Sequence, residues 1–297
     1  MLGHRPIELV GAMLQTAAEL YLISDRATVL SIAKSCSIGY TYTIPILYRT
    51  LVIDGTNSHL FVPVFNESVP FRIAGGLLSR PATERLCWHV RRLFLGINQM
   101  MDPLRFGRLF PQLQAIFGFG DLFLTESDYG QLPSSLRSFH ALSIPHVQWV
   151  PPSITHLCIF WQFGHLSVNK LVEWFEARVS DTVTHVALEL NDDLEPDQEE
   201  DFVVALQYLL GRSATAPVAI RIYSDAINAV SIRMMLRVIG NMDAIQRQRV
   251  LIWRDEREIR GGFGDINTSK LDAVCGRTPW SEALPETQNE LDAAMAD

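Results

Sequence analysis

The sequence predicts an α/β fold: a small N-terminal helical unit followed by an irregular solenoid that adds one strand per repeat. Three observations lead there. Apolar residues recur at helical spacing near the start of the chain. From Val90 onward a pattern of apolar, two residues, apolar, one residue, apolar keeps returning. Amphipathic stretches separate its later copies. With 297 residues, 48% of them hydrophobic and 20% charged, the chain suits one large domain or two modest ones. That apolar content excludes the disordered and collagen-like classes.

The helical unit spans residues 1–53. Pro6 suits a first helical turn, and Ile7, Leu9, Val10, Met13 and Leu14 follow on one helical face. Ser24-Asp25 supplies an N-cap for a second helix carrying Ala27, Leu30, Ala33 and Lys34. The stretch Ile44 to Ile53 reads as a Pro45-initiated helical turn passing into a strand. Residues 54–80 read as loop and strand.

The repeating domain is expected over 54–283, with a disordered tail over 284–297. Its copies start at Val90, Phe119, Leu136, Ile154, Val183, Pro217 and Arg247, at intervals of 29, 17, 18, 29, 34 and 30 residues. Ile154-Thr155-His156-Leu157-Cys158-Ile159 and Val183-Thr184-His185-Val186-Ala187-Leu188 are near duplicates. Each copy reads as a strand with alternate side chains turned into a shared core. Amphipathic helices are expected at 166–179, 197–212 and 226–240, the second with an acidic first turn that complements the helix dipole. Irregular spacing with one strand per unit describes a degenerate leucine-rich-repeat solenoid, although the asparagine usual after the third apolar position is absent. An ordinary α/β sheet is the alternative.

Arg5-Pro6-Ile7-Glu8-Leu9, the second helix from Asp25 to Cys36, and Pro45-Ile46-Leu47-Tyr48-Arg49-Thr50-Leu51 together resemble an F-box. The repeats beginning Pro133-Ser134-Ser135-Leu136 and Pro152-Ser153-Ile154 resemble the F-box-like proteins expanded in mushroom-forming fungi. So do Ile252 to Arg257 and Gly276-Arg277-Thr278-Pro279-Trp280. The resemblance implies a three-helix unit that docks on the adaptor of a cullin–RING ubiquitin ligase, with repeats that capture a target protein. Carried over residue by residue, it makes Pro6, Leu9, Val10, Leu30, Leu47 and Tyr48 the adaptor contacts; the same side chains would otherwise close the unit on itself. Arg5 replaces the family's first leucine, and Lys34-Ser35-Cys36-Ser37 replaces its usual Val-Ser-Arg or Val-Cys-Arg. Those departures favour a second reading, a recognition or structural module with a vestigial F-box.

The charge is uneven. Residues 1–110 hold eleven basic and seven acidic side chains, whereas 111–297 hold fourteen and twenty-six, giving −8 overall. A net negative chain with 22 arginines and three lysines is a poor polyanion binder, so nucleic acid is not an expected partner. Arginines gather at 80–108, where Arg91 and Arg92 are candidates for a partner's carboxylate or phosphate groups. Trp253 is either a partner anchor or a cap on the last repeat. The run 191–201 is acidic but has no glycine for a calcium loop. His156 and His185 occupy equivalent positions and could lie side by side, but no third metal ligand is evident.

Four separated cysteines argue against zinc and against a disulfide framework. Glu8, Gln15 and Glu19 interrupt any signal-type apolar core, and no apolar run approaches a membrane span. An intracellular site, cytoplasmic or nuclear, is expected. Nucleophile-elbow, P-loop and zinc-protease motifs are absent. Gly261-Gly262-Phe263-Gly264 lacks dinucleotide spacing and reads as a flexible turn. The sequence thus predicts a non-catalytic interaction protein without cofactor or metal. The remaining class, an α/β hydrolase or nucleotide-binding enzyme, would require a deep pocket with convergent polar groups.

Overall fold

The computed structural model describes residues 5–21, 26–55, 57–58, 61, 80–96, 103–118, 132–141, 150–161, 167–190, 198–212, 216–223, 229–255 and 280. Three helices come first: α1 (Arg5–Tyr21), α2 (Arg26–Ser35) and α3 (Ser37–Leu47). Strand β1 (Thr50–Ile53) then opens a series of strands with helices between most of them. It runs α4 (Arg80–Cys87), β2 (Arg92–Leu95), α5 (Pro103–Leu109), β3 (Ala115–Gly118) and β4 (Ser138–Ala141). It continues through β5 (His156–Trp161), α6 (Val168–Arg178), β6 (His185–Leu190), α7 (Glu199–Gly211) and β7 (Val218–Tyr223). Helices α8 (Ala229–Gly240) and α9 (Ala244–Arg247) precede β8 (Val250–Asp255).

The eight described strands are parallel and lie in sequence order, so each repeat stacks on the one before it. The architecture is α/β with one strand per repeat. From Leu51 the register runs through Leu93, Ile116, Phe139, Leu157, Val186, Val218 and Val250, at intervals of 42, 23, 23, 18, 29, 32 and 32 residues.

The recurring pattern has a local cause. Its first apolar residue closes a tight turn: Leu113, Leu136, Ile154 and Val183 donate their amides to Phe110, Pro133, Pro151 and Ser180. Each turn drops that side chain into the core. The next two amides then donate to a single carbonyl of the preceding repeat. Gln114 and Ala115 share Arg91, Arg137 and Ser138 share Gln114, and Thr184 and His185 share Thr155. Arginines also donate to carbonyls in and beside these turns, which accounts for part of their abundance. Arg137 donates to Ser134 and Leu136, Arg212 to Val179 and Ser180, and Arg249 to Leu210 and Ala216.

The second and third apolar positions face the helices and build one continuous core from Ile53 to Ile252. Helices α6, α7 and α8 cover it with Leu171 and Phe175, Phe202 and Leu206, and Met235 and Ile239.

Three expectations change. Pro45 does not start a helix; it sits in the last turn of α3, whose N-cap is the Cys36 thiol accepting from the Gly39 amide at 3.3 Å. The copy placed at Phe119, Leu122 and Leu124 lies outside the described residues, and the third strand uses Leu113 and Ile116 instead. In β7 the residue equivalent to Val186 is Val218, two positions before the expected Ile220. Most of 54–80, residues 191–197, the glycine-rich 261–264 and the tail 284–297 lie outside the described residues.

Candidate functional site

Two places gather side chains whose chemistry exceeds structural need. The first is a groove of about 570 Å³ between the helical unit and the first repeat. Helix α2 contributes Leu30, Ala33 and Lys34, and α3 contributes Tyr40 and Ile44, with Tyr48 at its C-cap. The opposite wall is Arg85 and Leu86 of α4, with Trp88 and His89 in the turn that follows. Gly39 lets α2 and α3 approach, because a side chain there would strike the Ile32 carbonyl. Leu30 is 38% exposed, Tyr40 54% and Trp88 51%, a cluster of large apolar groups left in water. Burial holds the His89 imidazole below its ordinary pKa, so at neutral pH the groove's charge comes from Lys34 and Arg85.

The second place is the sheet face opposite the helices. Its register rows are explicit. One runs Phe94, Phe117, His140, Cys158, Ala187 and Ala219; another runs Phe160, Glu189, Arg221 and Trp253. Both rows are buried, as parallel sheets generally are on both faces. Arg221 donates to Glu189 at 2.7 Å and lies 3.9 Å from the centroid of the Trp253 ring. His156 and His185 stack with centroids 4.2 Å apart and planes inclined by 13°. Thr155 and Thr184 hydrogen-bond their Nδ1 atoms at 2.8 and 2.9 Å. Trp280 closes on this stack edge-on, 4.9 Å from His156, and also meets His140, which itself stacks on Phe117 at 4.1 Å. Burial, then the charge of Arg221, pushes His140 down to about 3; burial, then His185, pushes His156 down to about 4. At neutral pH these imidazoles are uncharged aromatic plates. Their parallel stacking turns both rings into packing surfaces. Among the described residues no group of three or more His, Cys, Asp or Glu side chains could hold a metal ion.

The residues singled out from sequence fall in different surroundings. Val10 is 45% exposed on α1; Pro6 and Leu9 also lie in α1, but their side chains are outside the described set. Leu30 and Tyr48 line the groove, whereas Leu47 is 4% exposed in the core of the helical unit. Arg91 is exposed at the entry to β2, its backbone tied to Arg49, Gln114 and Ala115, and Arg92 is half-buried in β2. Trp253 is 7% exposed, packed with Cys158, Ala187 and Ala219. Six strand steps of about 4.8 Å separate β2 from β8, on the order of 30 Å. The arginines and Trp253 therefore form no common site.

Sequence reasoning passed over Trp88, Tyr40 and the Glu189–Arg221 pair. The last had a signal: opposite charges stand at the same place in Ala187-Leu188-Glu189-Leu190 and Ala219-Ile220-Arg221-Ile222.

No family model and no curated protein matches the chain. Among solved structures it is similar to the leucine-rich repeat-containing protein LegL7 from Legionella pneumophila, at 11% identity and a TM-score of 0.36, over 64% of this chain and 91% of that one. No described helix is long and apolar enough to cross a membrane.

Proposed function

We propose that the chain is a non-catalytic protein-interaction protein, a receptor that bridges the adaptor of a cullin–RING ubiquitin ligase and a target protein. In this reading residues 1–53 are the F-box-like unit, 54–283 the repeat domain and 284–297 a tail. The observation that carries it is the cluster of large apolar side chains left exposed on and beside the three helices, Val10, Met13, Leu30, Tyr40 and Trp88, whereas the repeat domain exposes Val204, Val230 and Ile245 one to a helix. Val10, Leu30 and Tyr48 are the adaptor contacts available at the surface, with Pro6 and Leu9 alongside Val10 on α1. Leu47 acts by holding α3 in place. Arg91 and Arg92 belong to target capture, and Trp253 supports it by closing the last repeat.

The test is binding of purified full-length chain to a purified ligase adaptor. Val10→Asp and Leu30→Asp should abolish binding while far-UV circular dichroism is unchanged. Absence of binding by the unmodified chain, beside an F-box protein that does bind, would sink the ligase assignment.

A second reading, a recognition or structural module without a ligase role, draws on two observations. Arg5 stands where an apolar residue would enter the adaptor, and Leu47 is withdrawn from the surface. It predicts protein partners but no adaptor.

A further inference from the structure

We propose that the groove between α2, α3 and α4 binds a short segment of a partner protein in which one or two bulky apolar side chains are flanked by carboxylates. The inference rests on the chain being an interaction protein, and it holds whether or not a ligase adaptor is among its partners.

The first argument is shape and lining. A concave site of about 570 Å³ lies in the range that encloses small ligands and peptide anchors. Its walls are aliphatic and aromatic, and Tyr40 and Trp88, each about half exposed, offer ring surface to an incoming side chain. Tyrosine, tryptophan and arginine are the residues that most often carry binding energy at protein interfaces. They offer large rigid contact area at little entropic cost.

The second argument is charge. Residues 26–53, which supply α2 and α3, contain Arg26, Lys34 and Arg49 and no Asp or Glu. Residues 80–96, which supply the opposite wall, contain Arg80, Arg85, Arg91 and Arg92 against the single Glu84. Lys34 and Arg85 line the groove itself, and among the described residues no carboxylate does. In a chain of net charge −8 this is a local reversal of sign. A peptide with apolar anchors and basic flanks meets like charge at the rim, and one with acidic flanks meets complement; such patterns set partner choice and encounter rate. Two rim cations do not make a track for a nucleic-acid backbone.

The experiment uses the full chain, immobilised, and a displayed library of random peptides of about twelve residues. The expected result is enrichment of sequences with Leu, Phe or Trp anchors and an excess of Asp and Glu. In fluorescence polarisation the enriched peptide should bind about tenfold tighter than the same anchors with Lys and Arg flanks. Lys34→Glu, at an exposed position where folding is undisturbed, should narrow that ratio, and Lys34→Glu with Arg85→Glu should invert it. Trp88→Ala should weaken the peptide at every salt concentration. The inference is overturned if enriched sequences lack an acidic excess, or if nothing enriches above the Trp88→Ala chain. It also falls if Lys34→Glu leaves the ratio unchanged, or if phosphatidylserine vesicles compete the peptide away and bind more tightly. Loss of adaptor binding with peptide binding intact would remove the ligase assignment and leave the groove standing.

Discussion

The repeat domain and the helical unit spend their apolar residues differently. Along the sheet one face is covered by helices, and on the other the rows that include Phe94, Phe117 and Trp253 are buried. In the helical unit the buried cluster among the described residues is small: Ala18, Val29, Ala33, Ile44, Ile46 and Leu47. Val10, Met13, Leu30 and Tyr40 remain in water around it. A stacked sheet gains stability with each strand added, because every repeat buries its neighbour's apolar face. Three short helices cannot enclose all their large side chains, and the surplus stays at the surface. Binding is then expected where the surplus is.

The sharpest break in this contrast comes from the buried ion pair. Arg221→Met takes the guanidinium partner away from the buried Glu189 carboxylate, and stability should fall by about 3–5 kcal/mol. The double change Arg221→Met with Glu189→Leu removes both charges and should recover most of that loss. Urea denaturation of the three proteins measures it. A cost below about 1 kcal/mol for the single change would mean that the sheet face is wet, and the contrast with the helical unit would weaken.

Next in size is a pair of leucines within the helical unit. Leu47→Ala opens the small core and should cost about 2–5 kcal/mol, whereas Leu30→Ala, at the groove, should stay within about 0.5 kcal/mol. Partner binding should respond in the opposite sense, with Leu30→Ala the more damaging per unit of stability lost. Equal stability losses at the two sites would show that Leu30 belongs to the core.

These two tests also mark how far the sequence could be read. The Thr-His duplicates betrayed β5 and β6, because a turn residue, a first core residue and an alternating strand are all local. The two-residue slip in β7 had a physical origin. Val218, Ile220 and Ile222 alternate without interruption, and a shift of two keeps every side chain on its own face, so periodicity cannot detect it. Strand β3 was obscured by Gly118, which breaks the apolar pattern because any side chain there would meet the Leu95 carbonyl. The groove was invisible for another reason. Its walls are some forty residues apart or more at Tyr48 and Trp88, and what joins them is packing between repeats. Glu189 and Arg221 escaped likewise, since their pairing depends on the correct register of β6 against β7.

An effect spread over several pH units also separates the two regions. His140 titrates near 6.5 when unfolded and near 3 when buried, and His156 near 4. Above about pH 6.5 both states hold these rings neutral and stability is full. Below it the unfolded chain takes up protons that the folded sheet refuses. Stability therefore falls from pH 6.5 toward 3 for His140, and toward 4 for His156, at up to about 1.4 kcal/mol per pH unit for one fully buried ring. His140→Phe, which can still stack on Phe117, should flatten the curve in that window. An unchanged curve would place the titration outside the sheet.

The least costly probe compares two thiols. The Cys36 thiol is exposed, and the Gly39 amide, then the Ser35 hydroxyl, hold its pKa below the ordinary value. Burial, with Glu84 nearby, pushes the Cys87 thiol up to about 12, and Cys158 is buried in the sheet. Iodoacetamide at neutral pH should modify Cys36 in the native protein and spare Cys87 and Cys158, with peptide mass spectrometry as the readout. Because a sulfur is a weak acceptor, Cys36→Ala should cost less than about 1 kcal/mol although it removes the N-cap of α3. Modification of Cys87 at a similar rate would show that α4 opens in the native state, and the groove would then be a property of one conformation rather than a fixed wall.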